Sequence, residues 1–134
     1  MKNNYLFLVV FTLMFIWSNN SNAQKSGWVV PEYTKGLKNP FENKKNVAAD
    51  GKIIYDQMCV LCHGLFGEGN GAAALSLDRQ PANFLSIDVL NETDGEIFWK
   101  ITVGKPPMSS YDELLTEDQR WKLVSYIREL NKKK

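Results

Sequence analysis

Cys59-Val60-Leu61-Cys62-His63 is the segment from which the rest of this 134-residue chain can be understood. Residues at i and i+3 share one face of a helix, so a helical segment here projects its two thiols side by side. His63 follows directly on the second thiol, and its imidazole nitrogen is a good ligand for iron. Two thiols so placed can each add to one vinyl group of a haem, which carries the adjacent histidine under the metal. Cys-x-x-Cys-His is read as c-type haem attachment for that reason.

Other uses of the same residues fit less well. A structural zinc site takes four protein ligands, whereas the chain holds two cysteines and one histidine, so a carboxylate would have to help. A thioredoxin-like dithiol belongs in a βαβ context, and no stretch of this sequence reads as a strand. A disulfide between Cys59 and Cys62 would close a loop too small to restrain the unfolded chain much.

The first residues read as an address rather than as a domain. Lys2 is followed by an apolar run from Tyr5 to Trp17 (YLFLVVFTLMFIW), broken only by Thr12, and then by polar residues ending in Ala23. This is the order of a bacterial secretory signal peptide over residues 1–23, cut after Ala23. The alternative is a retained anchor, but the run is well short of the roughly twenty residues that a spanning helix needs. No cysteine at its end offers a lipid attachment point. Export implies an oxidising compartment, here the periplasm. Without the leader, fifteen basic side chains balance fifteen acidic ones, which argues against nucleic acid or an anionic membrane as the partner.

Residues 24–46 are rich in Lys, Asn, Pro and Gly and predict an irregular arm, with Pro31 and Pro40 as punctuation. Trp28, Tyr33 and Phe41 are available to pin it to the body; a mobile linker is the other reading. A first helix is expected from Val47 to Cys62, with Val47, Gly51, Ile54, Tyr55 and Met58 on one face. Glycine weakens a helix interior, so Gly51 on an apolar face suggests close approach of another helix. Residues 64–92 read mostly as loop, punctuated by Gly64, Gly67, Gly69, Gly71 and Pro81, with a short helical turn at Ala72–Leu75. Thr93-Asp94-Gly95-Glu96 and Thr116-Glu117-Asp118-Gln119 are capping boxes that open two further helices. The first should end at Val103, with Gly104 as a left-handed cap and Pro106 and Pro107 blocking its continuation. The second should run to Leu130, burying Leu123, Tyr126, Ile127 and Leu130. Lys132, Lys133 and Lys134 then complement the helix dipole.

Past the leader the methionines are Met58 and Met108. Met58 directly precedes the attachment segment and suits a packing role on the histidine side. Met108 closes Gly104-Lys105-Pro106-Pro107-Met108, where two prolines stiffen the backbone. Met/His ligation is the expected choice in electron carriers, so Met108 is the candidate sixth ligand. A packing role is the alternative.

These features together resemble class I cytochrome c over residues 47–130. Gly51, Tyr55 and Cys59 reproduce the spacing of the family's first helix, Leu123 and Tyr126 look like the pair that crosses it, and Asp94-Gly95-Glu96-Ile97-Phe98-Trp99 resembles the helix before the methionine loop. The resemblance implies an all-α fold for residues 47–134: three main helices plus loops wrapped around one covalently bound haem c. It implies Cys59 and Cys62 as attachment points and His63 and Met108 as axial ligands. It also implies a proline carbonyl that accepts the N–H of the proximal histidine, for which Pro81 is the candidate. Trp99, Phe98, Ile101 and Tyr111 are candidate pocket walls, and Lys105 a candidate for the haem rim. The implied function is a periplasmic single-electron carrier, not an enzyme. It would meet redox protein partners, take no small-molecule substrate, and touch the membrane only through partner complexes. The alternative is a haem-bearing subunit docked permanently on a dehydrogenase, oxidase or quinol-oxidising complex. A haem enzyme or gas sensor would require Met108 to be off the iron.

Overall fold

The computed structural model describes residues 27–132. The leader with its cut after Ala23, the first three residues of the arm, and Lys133 and Lys134 lie outside the described residues. The described chain forms five α-helices: α1 (Val47–Met58), α2 (Val60–His63), α3 (Ile87–Leu90), α4 (Asp94–Val103) and α5 (Glu117–Lys132). Short 3-10 turns cover Glu32–Gly36 and Ala74–Ser76. Among the described residues there is no β-strand; an isolated bridge pairs Lys105 with Met108. No helix there is long and apolar enough to cross a membrane. The architecture is the expected all-α one.

The main contact is the crossing of α1 on α5. Val47, Gly51 and Tyr55 are spaced by four and form the buried face of α1. A β-carbon on Gly51 would stand 2.0 Å from the Lys122 carbonyl oxygen and 3.0 Å from Tyr126 Cβ, so only glycine lets the two backbones meet. Beside it Tyr55 and Tyr126 pack edge to face, ring centroids 5.0 Å apart, a geometry favoured by the ring quadrupoles. Leu123, Val124, Ile127 and Leu130 complete the buried stripe of α5.

Both capping boxes form. Thr93 N donates to Glu96 Oε2 at 2.7 Å and Glu96 N to Thr93 Oγ1 at 3.3 Å. Thr116 N donates to Gln119 Oε1 at 2.8 Å and Gln119 N to Thr116 Oγ1 at 3.2 Å. Three expectations need correction. The first helix does not run unbroken to Cys62: Cys59 has φ −117° and ψ −32°, and the chain turns there before α2. Gly104 has a positive φ of 62°, but its ψ of 168° sends the chain out extended rather than into a left-handed cap. The short helix α3 carries no apolar period long enough to be seen in sequence; Ser86 caps it through Val89 N at 3.5 Å.

Residues 27–46 of the arm pack against the helices. Thr34 is fully buried, and Asn39 Nδ2 donates to Ser125 Oγ on α5 at 3.0 Å. Trp28 and Phe41 pack inward, whereas Tyr33 is exposed. On the other side Arg128 of α5 donates to Asp94 Oδ1 at 2.7 Å and to the carbonyls of Val89 and Glu92, tying α5 to the α3–α4 junction.

Gly51→Ala is expected to destabilise the protein by about 1–3 kcal/mol in urea unfolding, because the clash is with backbone and cannot be relieved by a rotamer. Replacing a helical glycine gains at most about 1 kcal/mol, so the clash dominates. A variant at least as stable as the parent would show that the helices separate without cost at this point.

Candidate haem site

The site begins at the end of α2, whose last carbonyls would otherwise lack partners. The glycine-rich loop supplies the donors. Ala73 N, Gly71 N and Gly69 N donate to the carbonyls of Leu61, Cys62 and His63 at 2.9, 3.0 and 2.9 Å. Tyr55 Oη donates to Gly64 O at 2.6 Å. The loop thereby fixes the direction of the Cys62–His63 turn. Gly69 is required there. Its φ is +76°, and a β-carbon would stand 2.5 Å from the Pro81 carbonyl oxygen.

His63 Nδ1 lies 3.1 Å from the Ala82 carbonyl oxygen. A carbonyl can only accept, so Nδ1 carries the proton and the lone pair is left on Nε2. This corrects the assignment of Pro81 as acceptor. The loop turns one residue later than expected, and the Pro81 carbonyl instead packs against Gly69. The imidazole also stacks on Phe84, centroids 4.4 Å apart and planes 14° apart. Burial pulls the pKa of His63 below the ordinary imidazole value, with the Ala82 bond opposing in part. The net effect favours the neutral ring, the form that binds metals. Burial and the neighbouring Cys62 push the Cys59 thiol up to about 12.

Met108 borders the same cavity. A space of about 510 Å³ is lined by His63, Met108 and the apolar side chains of Phe84, Ile97, Ile101 and Ile127, among others. That volume lies within the usual range for a small-molecule or cofactor site. Of the four expected walls, Ile101 borders the cavity. Phe98 stacks on Trp121 at 4.0 Å in the core, Trp99 packs against Trp28, and Tyr111 Oη donates to Met58 O at 3.1 Å. Ile97 shares the Ile101 face of α4 at helical spacing and could have been read from the sequence. Lys105 is not free at the rim: its Nζ donates to Gly27 O and sits 5.6 Å from the Trp28 ring centroid.

The Met108 loop is held at both ends. Met108 N donates to Lys105 O at 2.9 Å, and Tyr111 N is shared between the carbonyls of Ile101 and Thr102, 3.2 Å from each. Ser110 Oγ donates to Thr102 O at 2.7 Å. Arg120 of α5, buried, donates to the carbonyls of Tyr111, Asp112 and Leu115 at 3.2, 2.7 and 2.9 Å. Arg120 also pairs with the Asp112 carboxylate at 3.0 Å. No local sequence pattern signals this clamp, because its acceptors are mainly backbone carbonyls and lie five to nine residues away.

The residues fit a covalently attached haem. Cys59 precedes α2 and Cys62 lies within it, both half-buried beside the cavity rather than among its lining residues. His63, whose Nε2 is left without the proton, and the Met108 thioether border one largely apolar space. Among the described residues no group of three or more His, Cys, Asp or Glu gathers to hold a metal ion, so the zinc reading finds no site there.

Fold and site together define a c-type cytochrome. The chain belongs to the family described as cytochrome c oxidase, cbb3-type, subunit III, whose profile matches residues 46–127. It therefore carries a haem-c-binding, electron-transfer domain. No match is found among the curated proteins. One similar solved structure is the Kuenenia stuttgartiensis reducing HAO-like protein complex Kustc0457/Kustc0458, 27% identical with a TM-score of 0.63. The match covers 72% of this chain and 48% of that one, so the chain spans about half the length of that relative. A second is the KustC0563 c-type cytochrome, 28% identical with a TM-score of 0.53, covering 60% of this chain and 96% of that one.

Arg120→Met is expected to lower stability to urea by about 2–3 kcal/mol, since three carbonyls lose a charged donor. The slope of the transition should stay unchanged. A loss under about 0.5 kcal/mol would show that water replaces the guanidinium freely.

Proposed function

We propose that this chain is an exported, single-haem electron carrier that moves one electron at a time between redox proteins in the periplasm. In this reading Cys59 and Cys62 form the two thioether links, and His63 and Met108 are the axial ligands. When bound, the haem supplies an iron that alternates between ferric and ferrous states. The observation that supports this most directly is the placement of His63 and Met108 on one cavity of cofactor size.

Each residue has a definite task. The Ala82 carbonyl holds the His63 ring in one tautomer and orientation and raises the basicity of Nε2. The Arg120 and Tyr111 bonds keep the Met108 loop in one place, so little would rearrange between oxidation states. The thioether and the apolar walls favour the lower charge of the reduced state, which raises the potential. With both axial positions claimed by the protein, no small-molecule substrate is expected and the chain is not itself an enzyme. Membrane contact would come only through partner complexes.

A second reading is a haem subunit docked on a larger catalytic assembly. It draws support from the family's description as an oxidase subunit and from the likeness to part of a Kuenenia protein complex. Gel filtration of native extract separates the two: a lone small species supports the shuttle, and co-elution with a large complex supports the subunit.

Protein exported alongside the c-type maturation machinery should gain the mass of one haem and lose its leader after Ala23. Its pyridine haemochrome spectrum should be that of two thioether links. Colourless material with both thiols free would end the proposal. Met108→Ala should keep the haem, abolish the near-infrared Met–iron absorption and lower the potential; an unchanged band would remove Met108 from the iron.

A further inference from the structure

Gly27 and Trp28 border the same cavity as His63 and Met108, yet they lie outside residues 46–127, which match the family. Their position is held from two directions. Downstream, the buried Thr34 and the Asn39–Ser125 bond anchor the arm on the helices. At the cavity, the Trp28 ring meets Trp99 edge-on, with centroids 5.9 Å apart and planes at 74°. The ammonium groups of Lys100 and Lys105 lie 5.8 and 5.6 Å from its centroid. Lys105 Nζ also donates to Gly27 O. Lys105 opens the segment that ends in Met108, and Met108 N donates back to Lys105 O. One side chain thus joins the arm to the methionine loop.

We propose that Trp28 is a positioning residue of the haem site: an arm-borne wall that covers the cavity and, through Lys105, steadies the loop presenting Met108. The proposal rests on the haem reading above. The physical reason is the small free energy that holds any such loop closed. Local openings are set by the few contacts that break in them. An aromatic edge contact and a cation–π contact together shift such an equilibrium by about tenfold. Without them the loop opens more often, and a small exogenous ligand competes more easily for the position that Met108 holds. Phenylalanine at position 28 keeps a ring for Trp99 and for the ammonium groups, so it should restore much of the effect.

The test uses the full exported, haem-loaded protein with Trp28→Ala, Trp28→Phe and Lys105→Met. The readouts are the rate at which cyanide displaces the methionine in the oxidised protein, followed by loss of the near-infrared absorption, and the urea unfolding midpoint. Trp28→Ala should bind cyanide about tenfold faster than the parent, Lys105→Met should be accelerated less, and Trp28→Phe should lie near the parent. Cyanide rates equal to the parent's, with or without a lowered unfolding midpoint, would overturn the proposal: Trp28 would then only stabilise the fold. That result, in protein with normal haem and methionine absorption, leaves the electron-carrier reading standing. A parent protein that loads no haem overturns both. If Trp28→Ala cannot be isolated, Lys105→Met decides by the same rate.

Discussion

The close approach of α1 to α5 at Gly51 is the contact on which the rest of the molecule depends. It fixes the position of α1, and α1 leads directly into Cys59. The missing side chain lets the Lys122 carbonyl lie where a β-carbon would be. The two helices can then bury Tyr55, Leu123 and Tyr126 together. Tyr55 connects this core to the site directly, since its hydroxyl reaches the Gly64 carbonyl just past His63. Helix packing and the aim of His63 are therefore one problem with one solution. A shift at the crossing would turn the imidazole as well as loosen the core.

The two faces of the cavity are secured by different means. On the histidine side, backbone donors from the glycine-rich loop meet the free carbonyls at the end of α2, and Ala82 fixes the ring. On the methionine side there is no helix, and the loop is held by the Arg120 clamp and by Tyr111, whose hydroxyl crosses to Met58 O next to Cys59. Tyr111 thus links the methionine loop to the helix leading into the first cysteine. Hydrogen bonds from a charged group are roughly twice as strong as neutral ones, which suits a segment that lacks internal helical bonding. Such fastening on both sides suits the proposed carrier of single electrons, because each rearrangement avoided at the proposed ligands would remove a barrier to transfer.

The arm gives the molecule a character beyond its family domain. Residues 27–46 carry one 3-10 turn, yet Thr34 and Asn39 are as buried as core residues. Arg128 plays the matching part on the other side, binding α5 to the α3–α4 junction. Val89 and Ile97, which wall the cavity, come from those two helices. The site is thus enclosed by segments brought together by α5, and α5 itself contributes Ile127 to the wall.

Local chemistry is legible in the amino-acid order alone. The two capping boxes, the glycine on the buried face of α1 and the stripe on α5 are short-range patterns, and each formed close to where it was expected. The Cys59–His63 segment is legible too, though the helix breaks at Cys59. These patterns sufficed for an all-α fold and for a haem-c-binding domain. What required the tertiary structure was every choice between near-equal neighbours. Ala82 rather than Pro81 meets His63, because the path of a long loop is decided by what it packs against and not by its own residues. Ile97 rather than Phe98 faces the cavity, because the rotation of α4 follows from stacking Phe98 on Trp121. Trp28 could be read as a residue able to pin the arm to the body, but its place at the cavity could not be read, nor could the reach of Arg120 to the methionine loop. Their partners lie elsewhere along the chain and are partly backbone, which carries no residue code. Spacing along a helix determines which side chains share a face; only the packed chain determines what that face meets.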